Sequence, residues 1–210
     1  MNILSKLCPK LSLISIAAGI IYNSWPLGLI VNPIIAKHGQ ASQLAATNQP
    51  YNWVFRYGDV VSGLLMVFIC FILVVNDRKA IDTYRLKLSL LLIIGFAVFA
   101  SIAAVVPVQC LSALRECPSF IHNKITLVHA ITSVIGPSCL YLSMLMFWKN
   151  GQNRFLNIQL IIFGIAGLIT FILQFVPGSD VIVQDIFICI CLAAMALYPY
   201  NFSRALDSAK

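Results

Sequence analysis

Asp59, His129 and Asp185 are ionisable residues set a short way inside three apolar segments, the second, fourth and sixth of the chain. Alternate membrane spans run in the same direction, so the three are expected at one depth, about two helical turns or less below one face. A charge at such a depth costs roughly 2 to 3 kcal/mol on insertion scales, which makes this layer a candidate functional site. Asp59 can carry a proton, ligate a metal or act as a general base. Together with His129 and Asp185 it forms a donor set suited to zinc, with three protein ligands and one position left for water. Only the ligand types support that set, because the three residues come from different helices; a hydrogen-bonded core histidine is the plainer reading of His129.

Arg56, Asp59 and Ser62 recur along one face of the second segment. Arg56 is suited to an anionic head group, while an Arg56–Asp59 ion pair is the structural alternative. His122 precedes His129 by seven residues, about 10 Å along a helix, which is too far to share a metal unless His122 lies ahead of the helix at the rim of the site. Asp180 reads as a solvated acid above Asp185, and Gln174 can reach the same layer.

The elements that must position these residues are apolar. The chain of 210 residues is 60% hydrophobic and 10% charged, far below the roughly one quarter charged of soluble domains. Six stretches are long enough to cross about 30 Å of hydrocarbon as helix: Leu11–Ile35, Trp53–Val75, Leu86–Val106, Ile125–Phe147, Leu156–Phe175 and Val181–Tyr198. They are apolar on every side rather than alternating, which excludes a membrane barrel and leaves helices to satisfy their own backbone groups. The expectation is all-α: a six-transmembrane-helix bundle, one integral membrane domain over residues 1–210. The N-terminal segment resembles a signal peptide but stays apolar past a normal signal core, so it reads as a retained first span. Pro26 and Pro33 bend or unwind that span, and Gly136 with Pro137 kink the fourth. The loop from Lys37 to Pro50 reads as a short surface helix.

Ten of the fourteen Lys and Arg residues fall in one set of connecting segments if the N-terminus is cytoplasmic. That set carries the whole net charge of +7, so both termini are expected to be cytoplasmic by the positive-inside rule. The basic balance thus points to membrane lipids as partners and to no nucleic acid. Cys110 and Cys117 then lie outside, where disulfides persist, and a Cys110–Cys117 bridge is expected; a metal pair is the weaker alternative at that spacing. Cys189 and Cys191, two apart on a helix, face different ways.

The stretch from Gly39 to Leu65 carries Ser42, Leu44, Ala45, Ala46, Gln49, Pro50, Phe55, Arg56 and Asp59. In that pattern, and in the paired loop cysteines followed by histidine between Cys110 and His129, the chain resembles a prokaryotic multi-span family known as domain of unknown function 998. Members of that family often have an acid after the loop serine, where this chain has Gln43. The resemblance implies six helices in the cytoplasmic membrane and no established activity. The residues themselves point to an outward-facing pocket of Arg56, Asp59, Ser62, His122, His129 and Asp185 that binds a small polar molecule or lipid head group. Alternatives are a zinc-dependent hydrolase of an outer-leaflet lipid, with Asp59, His129 and Asp185 as ligands, and a proton-coupled transporter.

Overall fold

The computed structural model describes residues 3–33, 41–47, 49–76, 84–106, 124–148, 154–173 and 180–207. They form helices α1 (Ile3–Tyr22), α2 (Gly28–Val31), α3 (Asn52–Asn76), α4 (Tyr84–Val105), α5 (Lys124–Trp148), α6 (Arg154–Leu173) and α7 (Asp180–Asp207), with 3₁₀ turns at Trp25–Leu27 and Ala41–Ala45. No strand occurs among the described residues. Five helices are long and apolar enough to cross a membrane, and a sixth span results if α1 and its bent continuation are taken together. This is a multi-span helical membrane protein.

Two spans depart from the sequence reading. In place of the expected Leu11–Ile35, α1 starts at Ile3, carries Pro9 inside and stops at Tyr22. There the chain bends by 42° into Trp25–Val31, because Pro26, at the start of the 3₁₀ turn, has no N–H to continue the ladder. In place of the expected Val181–Tyr198, α7 continues through Pro199 to Asp207. Its extension is amphipathic: Tyr198, Asn201, Phe202 and Ala205 are buried at helical spacing while Tyr200 and Arg204 are exposed. Phe147 closes on Tyr198 and Phe202, with ring centroids 5.3 and 5.9 Å apart.

The helices stand in a ring in chain order, with α1 closing against α7. Close approach depends on small residues, as expected where lipid removes the hydrophobic drive between helices. A Cβ on Gly63 would stand 3.1 Å from the Ala97 carbonyl oxygen. Although α4 is apolar all round, its buried set (Leu86, Ser89, Leu90, Ile93, Phe96, Ala97, Ala100, Ala103, Ala104) follows the helical repeat. Leu91, Ile94, Val98 and Val105 face outward, toward lipid. In the lower half, Ser89 Oγ lies 2.7 Å from Ser143 Oγ and 3.1 Å from the Tyr198 hydroxyl, tying α4, α5 and α7 through a buried polar cluster.

At the upper end, where α3, α5 and α7 begin, the Ala41–Ala45 turn is tucked into the bundle rather than lying on its surface. Gln43, Leu44, Ala45 and Ala46 are buried with Phe55 against Trp25 and Val31. Leu44 occupies the space that a side chain at Gly28 would need, since a Cβ there would come within 2.5 Å of Leu44 Cδ1. Asn32 Nδ2 donates to Gln49 Oε1 at 2.6 Å, linking the segments on either side of this plug.

Candidate functional site

Below the plug lies a cavity of about 440 Å³ lined by residues of six helices, α1 and α3 to α7, and of the two 3₁₀ turns. Its walls include Asp59 from α3, His129, Thr132 and Ser133 from α5, and Gln184 from α7, with Ser42 in the roof. It runs down α5 from His129 to Tyr141, about 18 Å at 1.5 Å per residue. The deeper part is apolar and aromatic: Tyr141 stacks on Phe163 at 5.4 Å, and Phe163 meets the edge of Phe187 at 5.4 Å. Ser138, Leu168 and Phe171 line the cavity and are also exposed, so it reaches the lipid-facing surface between α5 and α6.

The geometry of His129 follows from the end of α4. A helix leaves its last carbonyls without intrahelical donors, and here each finds one. The Val106 N–H donates to Ile102 O at 2.8 Å. Arg56 donates from Nε to Ala104 O at 2.9 Å and from a terminal nitrogen to Val105 O at 3.1 Å. His129 Nδ1 lies 2.9 Å from both Ala103 O and Val106 O. Carbonyl oxygens only accept, so Nδ1 carries the hydrogen, and in the neutral ring Nε2 is left as an acceptor. His129 is only 8% exposed, and its Nε2 is buried with no hydrogen-bond partner.

Arg56 is therefore spent on the C-terminus of α4, where a cation also meets the negative end of the helix dipole. It forms neither the expected ion pair with Asp59 nor part of the cavity wall. Ser62 is buried and donates to Ala18 O at 2.8 Å, joining α1 to α3 outside the cavity. Asp185 lines a second cavity of about 590 Å³ with Gln159, Cys189 and Trp25, and its Oδ1 is buried without a partner. One step along α7 is about 100° of rotation, and it is Gln184 that turns to the first cavity.

The structure thus brings Asp59 and His129 to one cavity and places Asp185 in another, so the zinc triad is not assembled. Among the described residues no three His, Cys, Asp or Glu side chains are grouped so as to hold a metal. Cys110, Cys117, His122 and Gln174 lie outside the described residues, as does the side chain of Asp180. Cys189 is exposed and Cys191 buried, consistent with their two-residue offset. Sequence reasoning did not assign Gln184, Trp25 or Tyr141 to the site. Their signal was present only as polar or aromatic residues whose helical phase was unknown.

Fold and cavity define a multi-span helical membrane protein with a chamber that is polar toward one end and aromatic below. The chain belongs to the family described as "Protein of unknown function (DUF998)", whose model matches residues 15–198. Neither a curated protein nor a solved structure matches it.

Proposed function

We propose that the protein binds an amphiphile or lipid head group in the upper cavity, with Asp59 and His129 as its polar contacts. The observation that carries this reading is a cavity lined by both Asp59 and His129, with the Nε2 of that histidine buried and without a hydrogen-bond partner. A buried acceptor without a partner costs on the order of 1 to 3 kcal/mol, so it is a group that a ligand donor would satisfy. The volume falls in the range of small-molecule sites, about 300–1,000 Å³. Its length and apolar lower wall suit a chain attached to a polar head. The packed core beneath it, with Phe147, Tyr198 and Phe202 buried, supports binding over passage through the bundle.

The distribution of Lys and Arg supports a topology with both termini cytoplasmic and the cavity toward the opposite face of the cytoplasmic membrane. On that side a Cys110–Cys117 bridge is chemically reasonable. The test is lipid extraction and mass spectrometry of the purified protein beside Ser133→Phe, which fills the wall, and His129→Gln, which keeps a donor for α4 and alters the free acceptor. Selective co-purification of an amphiphile with wild type, reduced in both variants, is expected. An identical lipid profile in all three overturns the proposal.

A further inference from the structure

We infer that the cavity selects a primary amine, rather than the anionic group that Arg56 suggests in the sequence. This rests on the proposed reading of the cavity as a ligand site and narrows it to a chemical class. Beside hydroxyls that both donate and accept, the polar lining holds three side chains that offer acceptors. Asp59 contributes a carboxyl group, His129 an Nε2 whose hydrogen sits on the opposite nitrogen, and Gln184 an amide oxygen that is buried without a partner. Pro137, also in the wall, has no N–H to give the Ser133 carbonyl that a regular helix would pair with it. No Lys or Arg is among the described residues that line the cavity.

The rest of the wall points the same way. Tyr22, Trp25, Phe55, Tyr141, Phe163 and Phe187 surround the space, and aromatic faces attract ammonium groups most strongly when water is excluded. An ammonium with N–H donors satisfies the orphaned acceptors as well as the carboxyl group. A carboxylate or phosphate would face Asp59 with no cation beside it. A quaternary ammonium would meet the rings but give His129 and Gln184 nothing. Trp25 lines both cavities and its Nε1 is a buried donor without a partner, which would serve a hydroxyl or carbonyl oxygen next to the amine.

The amine can be a lipid head group or a small soluble amine, and one experiment separates them. The full chain in phosphatidylglycerol nanodiscs is photolabelled with a diazirine-bearing long-chain primary amine. Labelling is compared with that by carboxylate, alcohol and trimethylammonium probes of the same chain, with and without a soluble diamine as competitor. The primary amine should label α5 and α6 at roughly tenfold to a hundredfold lower concentration than the carboxylate, the ratio expected for charge-assisted hydrogen bonds. Asp59→Asn or Gln184→Leu should shrink that preference while the alcohol probe still labels. Displacement by the diamine assigns a soluble amine and resistance to it a lipid amine; both keep the chemistry. Equal labelling by carboxylate or trimethylammonium overturns the inference and leaves the cavity as a ligand site. Labelling of the cavity by no probe removes the underlying reading as well. The two substitutions lie on different helices, and the wild-type probe series decides the question even where one of them does not fold.

Discussion

Replacing Arg56 with Met separates a structural arginine from a ligand-binding one. The substitution keeps most of the apolar stem and removes both guanidinium bonds, leaving Ala104 O and Val105 O without their donors. A hydrogen bond from a charged donor contributes about 1.5–3 kcal/mol when buried. The bond to Ala104 is partly buried and the one to Val105 exposed, so the lower end of that range applies to the first and less to the second. Adding about 0.5 kcal/mol for a cation at a helix C-terminus gives a loss of about 2–3 kcal/mol. Arg56→Lys can supply one point donor but not a fork, and should lose about half as much. The assay is equilibrium unfolding in mixed micelles of dodecylmaltoside and SDS, followed by circular dichroism. A loss below about 0.5 kcal/mol for Arg56→Met, within the usual range of neutral surface changes, would refute the capping argument. A variant that is stable but alters the co-purified lipids would return Arg56 to the site.

Three further outcomes follow from the packing. Leu44→Ala should destabilise by about 2–5 kcal/mol, and Gly28→Val should displace the plug; each should raise maleimide labelling of an introduced Ser42→Cys. Gly63→Val should cost about 1–3 kcal/mol in mixed-micelle unfolding by forcing α3 away from the Ala97 backbone, and unchanged stability would contradict that contact. Phe202→Ala should lose about 3–5 kcal/mol whereas Arg204→Ala, at an exposed position on the same helix, should change stability by less than about 0.5 kcal/mol; equal effects would mean that the end of α7 is not amphipathic.

Membrane class and the helical, multi-span architecture were legible because they depend on length and mean hydropathy, which six apolar stretches display directly. The break in the first span was legible for a similar reason: Pro26 removes a donor wherever it sits. The Ala41–Ala45 plug was not, since a segment with Ser42, Gln43 and Thr47 reads as surface. Its burial depends on Leu44 meeting the bare backbone of Gly28, a match between residues sixteen apart that no local pattern displays. Arg56 misled for a related reason. Its spacing to Asp59 on one helix suggests a pair, but the end of α4 offers carbonyls that need a donor, and that competitor is invisible until α3 and α4 are packed.

Rotation was the information whose loss mattered most, and α7 shows both why it was hidden and where it could have been found. Within the apolar stretch, neighbouring residues differ too little in polarity to show which side faces the bundle, and Asp185 stands out there by its charge alone. Past the membrane stretch the same helix becomes amphipathic, with Phe202 fully buried and Arg204 exposed, and there the inward face is readable from sequence. Eighteen residues make five full turns at 3.6 residues per turn, which carries the face of Phe202 back to Gln184 and puts Asp185 about 100° away. Met195 and Tyr198, both fully buried, lie on the same stripe between them. The segment beyond Pro199 is the one that sets the phase of the helix. The two turns beyond Tyr198 thus carry the phase that turns Asp185 away from Asp59 and His129.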